Sequence, residues 1–197
     1  MNTKDLILEK TFGLLLEKGY KGVSISDIQQ ATGMARGLLY HYFGSQEVLF
    51  EESIGKYFIK WLYVDREKVK GCLVGETITH CIEQYDCVMG ELTGFGCEKV
   101  SLADLRMLLQ EAIRHNGALA DLYRTVCEER FFLWKNALLN SFAAGELRNG
   151  LNLESLARHF VYIQEGAIVE NPSINKYSED IYIMERGLRD FLEIIRR

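Results

Sequence analysis

The chain has 197 residues, 48% hydrophobic and 26% charged, with a formal net charge of −5. That balance describes a folded globular protein rather than a disordered one, and the acidic excess excludes a nonspecific nucleic-acid coat, which would carry a large positive charge. No apolar run approaches the roughly 20 residues needed to span a bilayer, and the opening MNTKDLILEK lacks the basic, apolar and small-residue zones of a secretory signal, so a cytoplasmic location is expected.

Pro172 is the single proline, so almost nothing interrupts helices. Strand-like alternation bounded by turn pairs is hard to find, and an all-α fold of about nine helices is expected. The cysteines, Cys72, Cys81, Cys87, Cys97 and Cys127, are odd in number and form no CxxC pair. Neither a disulfide framework nor a zinc ribbon fits them, and reduced, mostly buried thiols are expected. Within residues 1–50, Lys4, Lys10, Lys18, Lys21 and Arg36 are balanced by Asp5, Glu9, Glu17, Asp27 and Glu47, so the whole negative excess lies in residues 51–197.

Ile7, Leu8, Thr11, Phe12, Leu14 and Leu15 recur at helical spacing, and Gly19 stops the helix they predict. Ser24-Ile25-Ser26-Asp27 sets a hydroxyl three residues ahead of a carboxylate, as in a capping box. It opens a short second helix with Ile28 and Ala31 on its buried side. Gly33 suits a left-handed turn, Met34 plugs the corner, and the chain re-enters a helix near Arg36. This third segment, Arg36 to Phe43, is too short to be stable alone. It carries several polar and aromatic groups besides its anchors Leu39 and Phe43, so something other than packing uses them. Gly44-Ser45 ends it, and Ser45 caps a fourth helix running from Gln46 toward Trp61.

The pattern Ile7-Leu8, Gly19-Tyr20, Ser24 to Ile28, Gly33-Met34, Gly37 to Ser45, Glu47 and Leu49 closely resembles the DNA-binding domain of tetracycline-repressor-type (TetR family) regulators. The resemblance implies an all-α homodimer that docks its third helix in the major groove and releases DNA when its C-terminal part binds a ligand. It divides the chain into a helix-turn-helix DNA-binding domain, residues 1–47, and a helical ligand-binding and dimerisation domain, residues 48–197.

Near the start of the third helix, Arg36 has the donors to pair with the O6 and N7 of guanine. Gly37 lets the backbone approach the groove, and Leu38 suits a thymine methyl. Tyr40 and Tyr42 stand where the family's motif holds the phosphate backbone, with His41 between them as a further backbone or base contact. Ser24 and Ser26 open the second helix, whose N–H groups and hydroxyls suit a phosphate oxygen. Gln46 takes the place of a usual lysine and Ala35 that of a frequent serine or threonine, and both changes predict weaker phosphate binding.

Beyond residue 50 the helical pattern is interrupted at Gly71, Gly94-Phe95-Gly96, His115-Asn116-Gly117, Asn149-Gly150 and Asn171-Pro172, giving five further helices. Ser101 to Asp104 resembles a second capping box, and Asn152 suits a cap for Leu153 to Glu170. The stretch from Ala118 to about Ala144 is the central helix of the body. In the family the last two long helices pair with their twins. The resemblance therefore gives a dimer interface to Leu156, Phe160, Ile163 and Ala167 on one helix and to Ile181, Met184, Leu188, Phe191 and Ile195 on the other. One short reading head gives too little affinity, so a homodimer on a palindromic operator is expected.

The implied ligand cavity falls in a region rich in aromatic and sulfur groups: Tyr57, Trp61, Tyr85, Met89, Met107, Tyr123, Phe131 and Trp134. Such a lining suits an apolar or aromatic small molecule, although aromatic stripes at helical spacing also serve as plain core. His80, Gln84 and Cys87 share a helical face with Cys81 adjacent, but no second ligand pair accompanies them, so no metal and no cofactor are expected. No nucleophile with a base, paired carboxylates or phosphate loop is present, which argues against an enzyme. The alternative to a ligand-responsive repressor is a helical protein-interaction module with a vestigial DNA-binding head. It draws on the neutral charge of residues 1–50 and on Gln46.

Overall fold

The computed structural model describes residues 2–59, 62, 64–95, 100–170 and 177–197, with backbone alone at 93, 94, 169, 170 and 177–179. Among the described residues the protein is all-helical, with ten α-helices in place of the nine expected and a single isolated bridge, Leu147 to Arg196. The helices pack into two compact units: Met1–Leu62 with Gly90–Val100 and Asp104–Arg124, and Tyr63–Met89 with Ser101–Ala103 and Thr125–Arg197.

In the first unit, α1 (Thr3–Lys18) begins where the Asn2 side chain accepts from the Asp5 amide at 2.8 Å and ends at Gly19, whose φ is 73°. α2 (Ile25–Thr32) carries the expected capping box: Asp27 N–H donates to Ser24 Oγ, and Ser24 N–H donates to Asp27 Oδ2. Ile25 and Ile28 form its buried side, whereas Ala31 is exposed. Gly33 closes it at φ 70°, in the left-handed region where a glycine avoids the Cβ clash. α3 (Arg36–Phe43) and α4 (Gln46–Ile54) follow, the latter capped by Ser45 Oγ. α4 is shorter than its sequence pattern suggests. At Gly55 the amide meets the carbonyls of both Glu51 and Glu52, and the winding loosens into a π-helical turn, Gly55–Ile59.

Ile7, Phe12, Leu15, Ile28, Leu39, Leu49 and Ile54 fill the core of this unit. Ser53 is buried there and donates its hydroxyl to the Leu8 carbonyl at 3.1 Å, which fixes α4 on α1 without leaving a polar atom unpaired. Lys4 pairs with Glu52 at 2.6 Å, and Lys56 with Asp5, along the same seam.

α5 (Arg66–Val69), nucleated where Asp65 accepts from the Glu67 amide, is the helix that the sequence pattern omits. α6 (Val74–Gly94), α7 (Leu102–His115), α8 (Gly117–Ala143), α9 (Leu153–Glu170) and α10 (Tyr177–Ile195) complete the chain. The core of the second unit is built around Trp134, which stacks on Phe160 with ring centroids 4.6 Å apart and donates its indole N–H to Gln164 Oε1 at 2.7 Å. Beside it the buried Arg130 pairs with Glu165. Gly187 lets α10 close on α9, since a Cβ there would lie 3.2 Å from Ile163 Cγ2.

Candidate nucleic-acid interface

α3 turns Leu39 and Phe43 into the core and leaves Arg36, Gly37, Leu38, His41 and Tyr42 exposed, with Tyr40 half-buried. Leu38 and Tyr42, four residues apart on this eight-residue helix, together present an exposed apolar strip beside Arg36 and His41. The Arg36 guanidinium lies 5.4 Å from the centroid of the Tyr40 ring, and its Nη2 donates to the Tyr40 hydroxyl at 3.3 Å. Ala35 at the N-cap supplies no side-chain hydrogen bond to this helix.

At the start of α2, Ser24 and Ser26 are exposed. The Ser24 hydroxyl is engaged with Asp27 at 2.5 Å, and Lys18 pairs with the same carboxylate at 2.5 Å. The Lys18 ammonium, the Ser24 hydroxyl and the Ser24 amide hold Asp27 well below the usual carboxylate range. The site therefore holds a balanced set of charges rather than a basic patch. The side-chain amide of half-buried Gln46 donates to the Val23 carbonyl at 3.0 Å, tying α4 to the turn before α2.

The candidate effector residues are distributed over both units. In the first unit, Tyr57 packs on Phe12 at 5.5 Å and on Phe95 at 5.2 Å, Tyr123 is half-buried, and Met107 is 70% exposed and therefore lines no interior surface of the unit. In the second, Tyr85, Met89 and Phe131 are half-buried, while Trp134 is wholly buried with its N–H committed to Gln164 and serves as core. Trp61 lies outside the described residues. An open pocket of about 320 Å³ is instead lined by Leu8, Glu51, Glu52, Gly55, Lys56, Ala118, Leu119 and Leu122, none of which the aromatic pattern singled out. It forms where α1, α4 and the first turns of α8 meet, and only long-range packing creates it.

The dimer candidates need a similar correction. Phe160, Met184 and Leu188 have no exposed surface, and Ala167, Ile181 and Ile195 are buried too, so all six fill the core of their own protomer. Leu156, Ile163 and Phe191 are half-buried. The exposed apolar surface of α9 and α10 belongs to Tyr162, Tyr182, Ile183 and Ile194, which point away from that core. On α6, His80 faces Glu83 at 3.3 Å, and among the described residues no three metal-ligating side chains converge.

Residues 7–53 match the family model described as bacterial regulatory proteins, tetR family. The match runs over the helices α1 to α4, so this part of the chain is similar to the regulators of that family. Among curated relatives of the chain is the HTH-type transcriptional regulator YerO of Bacillus subtilis, 24% identical over 196 residues, spanning 98% of the chain and 66% of YerO's own length. The HTH-type transcriptional repressor AcnR of Corynebacterium efficiens is 38% identical over 50 residues, 25% of this chain and 27% of AcnR. In fold it is similar to a transcriptional regulator from Saccharomonospora viridis solved in complex with choline, with a TM-score of 0.76 at 17% identity over 98% of this chain and 97% of that one. It is also similar to the ketosteroid regulator KstR2 of Mycobacterium tuberculosis, with a TM-score of 0.69 at 15% identity over 100% of this chain and 96% of that one. The solved structures show the fold, a helix-turn-helix head followed by a helical body, and the curated relatives are HTH-type transcriptional regulators. Among the described residues no helix is long and apolar enough to cross a membrane.

Proposed function

We propose that this chain is a ligand-responsive repressor that binds a palindromic operator as a homodimer in the cytoplasm and is released by a small molecule. Residues 1–47 read the DNA, and residues 48–197 bind the effector and the second protomer. The observation that carries this reading is the outer face of α3. Arg36, Leu38, His41 and Tyr42 stand exposed beside the capped start of α2, while Leu39 and Phe43 anchor the helix from behind. Such a helix offers base-reading donors on one side and a rigid support on the other.

Release follows from the attachment of α4. Ser53 on the Leu8 carbonyl, Lys4 on Glu52 and Lys56 on Asp5 couple it to α1, so an effector that displaces α4 carries the reading head with it. Separation of two heads then lowers operator affinity because both half-sites are no longer met together. Exposed Tyr162, Tyr182, Ile183 and Ile194 supply the apolar surface that a second copy covers.

The test is fluorescence anisotropy of the purified chain with the intergenic DNA beside its own gene, at two salt concentrations, against a scrambled duplex. Saturable binding that prefers the native duplex supports the repressor. No preference at low salt, from folded ligand-free protein, favours an interaction module with a vestigial head.

A further inference from the structure

Arg36 and Tyr40 are four residues apart on α3, and therefore stack on one face of the helix. The contact is double: a guanidinium over the ring at 5.4 Å, within cation–π range, and an Nη2 hydrogen bond to the phenol oxygen at 3.3 Å. An exposed arginine otherwise samples many rotamers, and ordering such a side chain on binding costs free energy. Here the ring has already restricted it. A phenol has one donor hydrogen and two acceptor lone pairs. Accepting from Arg36 leaves the Tyr40 proton available to an anion.

We propose that Tyr40 is a positioning residue for Arg36: its ring and hydroxyl oxygen aim the guanidinium at a guanine in each half-site, while its O–H proton engages a backbone phosphate. This deepens the DNA-binding reading above and rests on it. The hydroxyl then links the two tasks of the interface, since the group that grips the backbone is also the one that aims the base reader. Grip and base choice are coupled through one oxygen. The free fork of Arg36 retains further N–H donors for the O6 and N7 of guanine.

The experiment is a double-mutant cycle on the full chain. Duplexes preferred by the unaltered protein are selected from a randomised pool, and the guanine read by Arg36 is located as the position where Arg36→Ala loses its preference. That guanine is then replaced by 7-deazaguanine, which lacks the N7 acceptor. Arg36→Ala is expected to weaken binding to the selected duplex about tenfold or more and to be indifferent to the deaza replacement. Tyr40→Phe is expected to reduce the guanine preference several-fold, and Tyr40→Leu, which also removes the ring, to reduce it further. In the Arg36→Ala background, Tyr40→Phe should cost appreciably less than in the unaltered protein.

Equal losses from Tyr40→Phe in both backgrounds and on both duplexes would overturn the proposal and leave Tyr40 a phosphate contact alone. Selection of no preferred duplex would instead overturn the DNA-binding reading itself, so the two failures are distinct. Thermal melting of each variant separates either result from misfolding, with no change expected at exposed Arg36 and little for Tyr40→Phe, which keeps the half-buried ring.

Discussion

The side-chain amide of Gln46, at the first position of α4, donates to the main-chain carbonyl of Val23 at 3.0 Å. The bond holds the turn before α2 against α4, so a residue at a position associated with phosphate binding serves the internal frame. A lysine there has the reach to keep the carbonyl contact or to engage a phosphate. Gln46→Lys is expected to bind DNA more tightly at low salt, with a salt-dependence slope steeper by about one per phosphate gained. Gln46→Leu strands the carbonyl and is expected to lower stability by about 1 kcal/mol. Salt titration by anisotropy and thermal unfolding check the two outcomes.

Tyr20 is buried between the edge of Phe50, at 5.2 Å, and the face of His115, at 5.7 Å and nearly parallel. Tyr20→Ala removes both ring contacts and opens a cavity, which should cost about 3 kcal/mol in chemical denaturation. His115 is itself exposed, so His115→Ala should cost well under half as much. A reversed order would mean that the stack, rather than the buried ring, holds the 19–23 turn.

Asp27 predicts a pH dependence. Its carboxyl is held below its ordinary value by Lys18 and by the Ser24 hydroxyl and amide. A carboxylate whose folded value is depressed stabilises the protein above its unfolded value, near 3.9, and that contribution disappears as pH falls through the folded value. Asp27→Asn should therefore melt below the unaltered protein at pH 7, with the gap narrowing progressively below about pH 4. Ser24→Ala, which removes the N-cap itself, should cost about 1 kcal/mol.

In the second unit, Trp134→Phe keeps most of the stack on Phe160 but leaves Gln164 Oε1, on a side chain 2% exposed, without its indole donor. Burying that orphan acceptor should cost about 1–3 kcal/mol, and a Trp134→Phe, Gln164→Leu pair should recover part of the loss. Equilibrium denaturation of the three variants provides the cycle.

Cys81 should be chemically silent in the folded protein. Burial pushes its thiol up to about 12, against the lowering effects of the Arg130 charge and a hydrogen bond with Gln164. Cys87 is exposed on the same helix. Iodoacetamide at pH 7.5, followed by peptide mapping, should label Cys87 in the native protein and Cys81 only after unfolding, because the thiolate is the reacting form.

The boundaries of α1 to α4 were legible because local chemistry sets them. Asn2, Ser24 and Ser45 accept amide hydrogens three residues on, and Gly19, Gly33 and Gly44 adopt backbone angles that other residues resist. The exposed outer face of α3 was legible for a related reason: its polar and aromatic groups exceeded what two apolar anchors need. The ending of α4 at Ile54 was less legible, since helical periodicity does not register a carbonyl pair shared at Gly55.

What the sequence by itself determined, then, was the all-α class, the caps and turns of the reading head, and the family pattern over residues 7–53. Tertiary structure alone decided which partner each apolar or polar side chain took. Periodicity places Phe160, Met184 and Leu188 on an apolar stripe, but whether that stripe meets its own protomer or another depends on packing against distant residues. In the folded chain these three are wholly internal. The same holds for Gln46 on Val23, Trp134 on Gln164 and Tyr20 on His115, each joining residues that no local pattern connects. Caps and turns are settled within about four residues of chain, whereas burial and pairing are settled only when the whole core closes.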